Sequence, residues 1–157
     1  MRGIRTIQLA YSGKTPTGIR LAESERTTTP KGTILHKEFD ILKDKKQTGK
    51  VFLDYKPARD DKWLLKKYFN KNDIYLNGIM LDKNHRGKGI GTVALRRVDG
   101  IAKKQGKKRV LLAVMGWNTK AKKLYAKEGY KKVGIERVDR LSGKGKTTMF
   151  ILAKELK

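Results

Sequence analysis

A chain of 157 residues without cysteine has the length of one domain, taken as 1–157, and excludes a disulfide framework, a Cys-ligated zinc site and a cysteine nucleophile. Lys+Arg number 39 against 15 Asp+Glu, a net charge of +24; such a field attracts polyanions and repels polycations. No apolar run approaches the roughly 20 residues that span a bilayer, and the basic start Met1–Arg5 leads into no apolar stretch, so the expectation is a cytoplasmic protein with no membrane contact.

In chain order, Ile4–Tyr11 (IRTIQLAY) alternates as a strand does. Ser12–Pro30 carries Gly, Pro, Ser and Thr clusters and reads as loop, with a short helix near Leu21–Arg26. Gly32–Leu42 and Gln47–Tyr55 are strand-like around a KDKK turn. Asp60–Phe69 reads as a short helix with acids at its start and lysines near its end, as the helix dipole favours. Ile74–Leu81 is a buried strand, Thr92–Gln105 has a helical apolar period, and Arg109–Met115 is a second buried strand. Asn118–Lys127 reads as a helix stopped by Gly129, and Tyr130–Val138 and Thr147–Leu156 as two final strands.

The segment richest in chemistry runs from Ile74 to Tyr130. Arg86-Gly87-Lys88-Gly89-Ile90-Gly91 follows a strand and opens a helix. Its glycines let the backbone turn sharply, and the free N–H groups of the first helical turn suit a phosphate or pyrophosphate. A purely structural turn would look the same in isolation. A Walker loop fails because Arg140 stands where the first glycine before Gly145-Lys146-Thr147 belongs. A dinucleotide fingerprint fails because the glycines lie at 87, 89 and 91.

The loop resembles the acyl-CoA signature Arg/Gln-x-x-Gly-x-Gly/Ala of the GNAT acyltransferase superfamily, with Arg86, Gly89 and Gly91 at the defined places. Ile79–Gly87 resembles the family's strand-to-loop lead-in, though Lys83 stands where proline is common. Downstream, Asn118–Tyr125 matches N-x-x-A-x-x-L-Y, and Gly129-Tyr130 matches the closing G-F/Y. The resemblance implies an α/β (α+β) fold: a mixed twisted sheet of about six or seven strands, splayed in the middle and flanked by helices. It also implies acetyl-CoA as co-substrate and no metal.

Carried over residue by residue, the resemblance assigns Ile79, Met80 and Leu81 to main-chain contacts with the pantetheine arm, with an N–H near Leu81 on the thioester carbonyl. Arg86, Gly87, Lys88, Gly89, Ile90, Gly91 and Thr92 would hold the pyrophosphate. Asn118 would touch the cofactor, cap the following helix, or do both. Lys123 (or Lys122) would reach a phosphate. Tyr125 is the catalytic candidate, the acid that protonates the departing CoA sulfur; without the surrounding motif it would read as a core tyrosine.

The base is not identifiable. Asn77, Gly78 and Ala113 stand where a carboxylate is common, Asp82 and His85 belong to the loop, and His36 lies on a strand whose orientation the sequence leaves open. An acceptor of low amine pKa would need no dedicated base. The expected function is therefore N-acetyl transfer to a primary amine, with the acceptor open among protein, nucleic-acid-associated and small amines. A nucleic-acid-binding module on this scaffold and a non-catalytic acyl-CoA-binding regulator are the alternatives. The charge fits a nucleic acid, ribosome or acidic-protein partner, a Lys-rich proteome, or a thermophile's surface. Lys62, Trp63, Lys66, Lys67 and Lys71 fit either such contacts or an ordinary amphipathic helix, and the family's habits admit a homodimer.

Overall fold

Seven strands pair into one sheet in the order β1-β2-β3-β4-β5-β7-β6, in a computed structural model that describes residues 16–56, 66–140 and 142–157. The strands are β1 (Ile19–Thr28), β2 (Ile34–Lys43), β3 (Lys46–Asp54), β4 (Asp73–Leu81), β5 (Arg109–Met115), β6 (Lys131–Asp139) and β7 (Lys146–Glu155). Two helices, α1 (Ile90–Lys104) and α2 (Thr119–Lys127), connect β4 to β5 and β5 to β6. All neighbours are antiparallel except β4 and β5. A parallel pair cannot be joined by a tight turn, and α1 supplies the crossover.

The segment read as loop with a short helix near Leu21–Arg26 is instead the edge strand β1, paired with β2 from Ile19↔Lys43 to Thr28↔Ile34. Its sequence hid this because the strand buries only Ile19 and shows water a run of charged and polar residues. Such a pattern blunts a sheet edge but lacks the alternation that marks a strand. The strand expected over Ile4–Tyr11 lies outside the described residues. So does most of the helix expected over Asp60–Phe69, Lys62 and Trp63 included, of which residues 66–68 form the described turn. The β2–β3 hairpin turns at Asp44 and Lys45, both at positive φ (50° and 71°), the geometry that matches the twist of two antiparallel strands.

Helix α1 packs its Val93, Ala94, Val98 and Ala102 against Ile41, Val51, Leu53, Ile74, Leu76, Val110 and Leu112 on one face of the sheet. The opposite face carries a smaller cluster of Tyr75, Leu111, Ile151 and Ala153. One irregularity matters for the site. Leu53 pairs with Leu76 and Phe52 with Gly78, so Asn77 is an extra residue in β4. A bulge of one residue reverses the facing of everything beyond it. Ile79 and Leu81 thereby join Ile74 and Leu76 on the α1 face. Beyond the bulge β3 presses closely on β4: a Cβ at Gly49 would lie 2.1 Å from the Met80 carbonyl oxygen.

Candidate active site

Strands β4 and β5 pair only through Asp73↔Arg109, Ile74↔Val110 and Tyr75↔Leu111. At this end they are clamped. The Arg109 guanidinium donates to both carboxylate oxygens of Asp73 (3.0 and 2.8 Å) and to the Tyr68 carbonyl (2.7 Å). Asp73 is 1% exposed, and the charge-assisted, two-pronged geometry makes this a firm tie. Past Tyr75 the partners diverge. β4 continues along β3 to Leu81, and β5 continues along β7 to Met115. Each then has a main-chain edge that no strand of the pair satisfies, a place for the amides of an extended ligand.

A groove of about 630 Å³ opens from this gap. Ile79 and Leu81 from β4, Arg86, Gly87, Gly89, Gly91 and Thr92 from the loop and α1, and Asn118, Lys123 and Tyr125 around α2 all line it. The side chains of three expected residues do not. That of Met80, assigned only a main-chain contact, points to the other face and is 62% exposed, that of Ile90 is buried beneath the first turn of α1, and Lys88 is exposed beside the groove without lining it. Lys120, Ala121, Leu124 and Lys127 complete the wall. Their spacing on one helical face was a usable signal. Lys122 instead places its ammonium 4.7 Å from the centre of the Phe150 ring.

Gly87 and Gly89 adopt φ of 73° and 81°, and Gly89 is the residue from which α1 starts. No Cβ clash forces a glycine at 87; the left-handed backbone does. Arg86 folds back, its Nε donating to the Leu81 carbonyl at 2.9 Å, which ties the loop to the end of β4. Asn118 caps α2 by accepting from the Ala121 amide at 3.2 Å. The groove's charged lining is Arg86, Lys120, Lys123 and Lys127, with no carboxylate. Cationic side chains, an α-helix N-terminus and open strand edges fit a ligand with phosphates at one end and amides along its length.

Tyr125 packs edge-on against Tyr130, ring centres 5.5 Å apart at 62°. Burial raises its phenol above the ordinary tyrosine value, which keeps the proton in place at neutral pH. The groove contains neither imidazole nor carboxylate among the described residues. Of the residues weighed as a base, His36 turns out to stand on β2 on the face opposite α1, beside Asp54. Among the described residues, no helix is long and apolar enough to cross a membrane.

The profile of the Acetyltransferase (GNAT) family matches residues 39–130. A thialysine N-ε-acetyltransferase from Mus musculus is 40% identical over 53 residues, 34% of this chain and 31% of that protein's length. The crystal structure of a GNAT family acetyltransferase from Elizabethkingia anophelis with acetyl-CoA bound superimposes with a TM-score of 0.65 at 17% identity, covering 89% of this chain and 99% of the other. An acetyltransferase from Bacillus subtilis in complex with CoA gives 0.64 at 14% identity, covering 88% and 99%. These two likenesses establish the fold. The stretch shared with the mouse relative spans about a third of that protein.

Proposed function

The chain belongs to the GNAT acetyltransferase family, and from that premise we propose that it transfers the acetyl group of acetyl-CoA directly to a primary amine. The observation that carries this reading is the half-open β4/β5 pair, with Tyr125 and a carboxylate-free cationic groove at its open end. Acetyl-CoA supplies the activated thioester. Ile79 and Leu81 offer the edge along which its amides would align, and α1, Arg86 and Lys123 attract its phosphates. Tyr125 donates the phenolic proton to the leaving sulfur. The absence of cysteine leaves no thiol to carry the acetyl group, which favours attack by the amine itself. The mouse relative, a thialysine N-ε-acetyltransferase by name, supports nitrogen as the acceptor atom. A protein or a nucleic-acid-associated amine is the acceptor class that agrees with a charge of +24.

The test is transfer of labelled acetyl from acetyl-CoA into a cell extract separated into protein, nucleic-acid and small-molecule fractions. Label is expected in one fraction, and Tyr125→Phe is expected to lower its rate by about 10²–10⁴. Because burial raises the Tyr125 pKa, its acid form persists above the ordinary value near 10. The wild-type rate should therefore fall on the alkaline side only beyond that value, a limb that Tyr125→Phe removes. CoA binding without label in any fraction overturns the proposal in favour of a non-catalytic acyl-CoA-binding protein. Nucleic-acid binding without CoA binding overturns it in favour of a binding module on the same scaffold.

A further inference from the structure

On the face of the sheet away from α1, a histidine on β2 and a buried carboxylate on β3 meet level with the place where β4 and β5 part. His36, Asp54, Tyr75 and Leu111 form one row across four strands, by the pairs His36↔Asp54, Asp54↔Tyr75 and Tyr75↔Leu111. Tyr75↔Leu111 is the last pair before the gap. Asn77, the bulged residue immediately beyond, donates its Nδ2 to Asp54 Oδ2 at 2.9 Å. Asp54 Oδ1 is bonded to His36 Nδ1. The Asp54 side chain is 7% exposed and that of His36 25%, so the carboxylate is buried while the ring reaches water.

We infer that His36 is the base that deprotonates the acceptor ammonium, with Asp54 and Asn77 as its positioning residues; this rests on the acetyltransferase reading above. The tautomer follows from the partners. A carboxylate only accepts, so Nδ1 carries the hydrogen that Asp54 receives, and the neutral ring keeps its lone pair on Nε2. Nε2 lies 3.6 Å from Glu38 Oε2, beyond hydrogen-bond range and within ion-pair range once the ring gains a proton. The ring also lies near-parallel to that of Phe52, centroids 6.4 Å apart. A His with one nitrogen tied to a buried carboxylate and the other facing water has the wiring of a general base.

Position agrees with chemistry. His36 stands two strands from β4, about 9.5 Å across the sheet, so its part in the reaction requires water to relay the proton from the amine. It approaches from the face opposite the α1 side, where Tyr125 joins the core. A nucleophile entering on one side and a thiolate leaving on the other need a base and an acid so divided. His36 Nε2 accepts one proton of the ammonium and releases it to solvent. The amine nitrogen forms its bond to the carbonyl carbon, and the carbon–sulfur bond breaks. Tyr125 gives its proton to the sulfur and is restored by the second nitrogen proton through water. The charged groups around the ring are Asp54, Glu38, its cross-strand neighbour Glu25, and Lys50, whose ammonium lies 3.5 Å from Glu38 and 3.4 Å from Asp40. The acids favour a cationic acceptor on this face of an otherwise basic protein.

The test compares wild type, His36→Gln and Asp54→Asn on two probes, an alanyl peptide with a free α-amino group (pKa about 7.7–8.0) and Nα-acetyl-lysine (pKa about 10.4). His36→Gln is expected to lower kcat/KM at neutral pH by about 10²–10⁴ and to leave CoA binding unchanged. The loss should be smaller for the low-pKa amine where both probes are substrates, a dependence a merely structural His36–Asp54 tie would not produce. Asp54→Asn, which preserves shape, should lower kcat in the same direction and keeps the test alive should His36→Gln not fold. A wild type that transfers acetyl while both variants keep its rate on both probes overturns the assignment of His36 alone. A wild type that binds CoA but acetylates no amine overturns the acetyltransferase reading itself.

Discussion

The two ends of the β4/β5 pair are made of neighbouring residues and do opposite things. At the closed end, Asp73 and Arg109 form a two-pronged ion pair with the carboxylate out of water, and the strands bond. At the open end, the Asn77 bulge turns Ile79 and Leu81 toward the helices, and β5 is held by β7 instead. The difference teaches that a sheet can be opened without being weakened, if the opening is anchored below and each parted strand keeps its outer neighbour. The ion pair sits at one end and the groove proposed to take acetyl-CoA at the other.

Substitutions at the two ends should therefore separate stability from binding. The largest effect is expected from Arg109→Ala. It strands a buried carboxylate and should cost about 3–5 kcal/mol, read as a large fall in Tm or in the denaturant midpoint; a fall as small as that from an exposed lysine would break the comparison. Gly89→Ala places a Cβ at φ 81°, a cost of about 1–2 kcal/mol. If that cost falls on the phosphate-facing loop, the Kd for CoA measured by calorimetry rises about tenfold while Tm moves little. The smallest effect is expected from Lys123→Ala, a surface cation in the groove, at about 0.2–1 kcal/mol of CoA binding. It should shrink further as salt is raised, and Tm should stay unchanged.

The site divides in the same way between what is legible in sequence and what is not. The glycine loop, α1, β5 and α2 are consecutive, and their chemistry is local: a positive φ at Gly87 and Gly89, a cap at Asn118, a helical face ending at Tyr125. Spacing alone can report such features, and most of the expected groove residues do line the groove. Ile90 does not, because helix periodicity turns its side chain into the core, and the Met80 side chain points to the opposite face, which has no bearing on the main-chain contact expected of it. His36, Asp54 and Asn77 could not be read together. They stand on three strands and meet only through the β2–β3–β4 register and a bulge, which no local pattern specifies.

By itself the sequence determined the family, the crossover helix, the glycine-rich turn that opens it and the absence of a thiol nucleophile. Each depends on residue types at short separations, where backbone sterics and capping leave few alternatives. Only the tertiary structure decided that Ile19–Thr28 is a strand, that β4 and β5 part after Tyr75, and that His36 faces Asp54 rather than the core. Those outcomes depend on which strand lies beside which and in what register, a choice made by packing energy summed over the whole sheet.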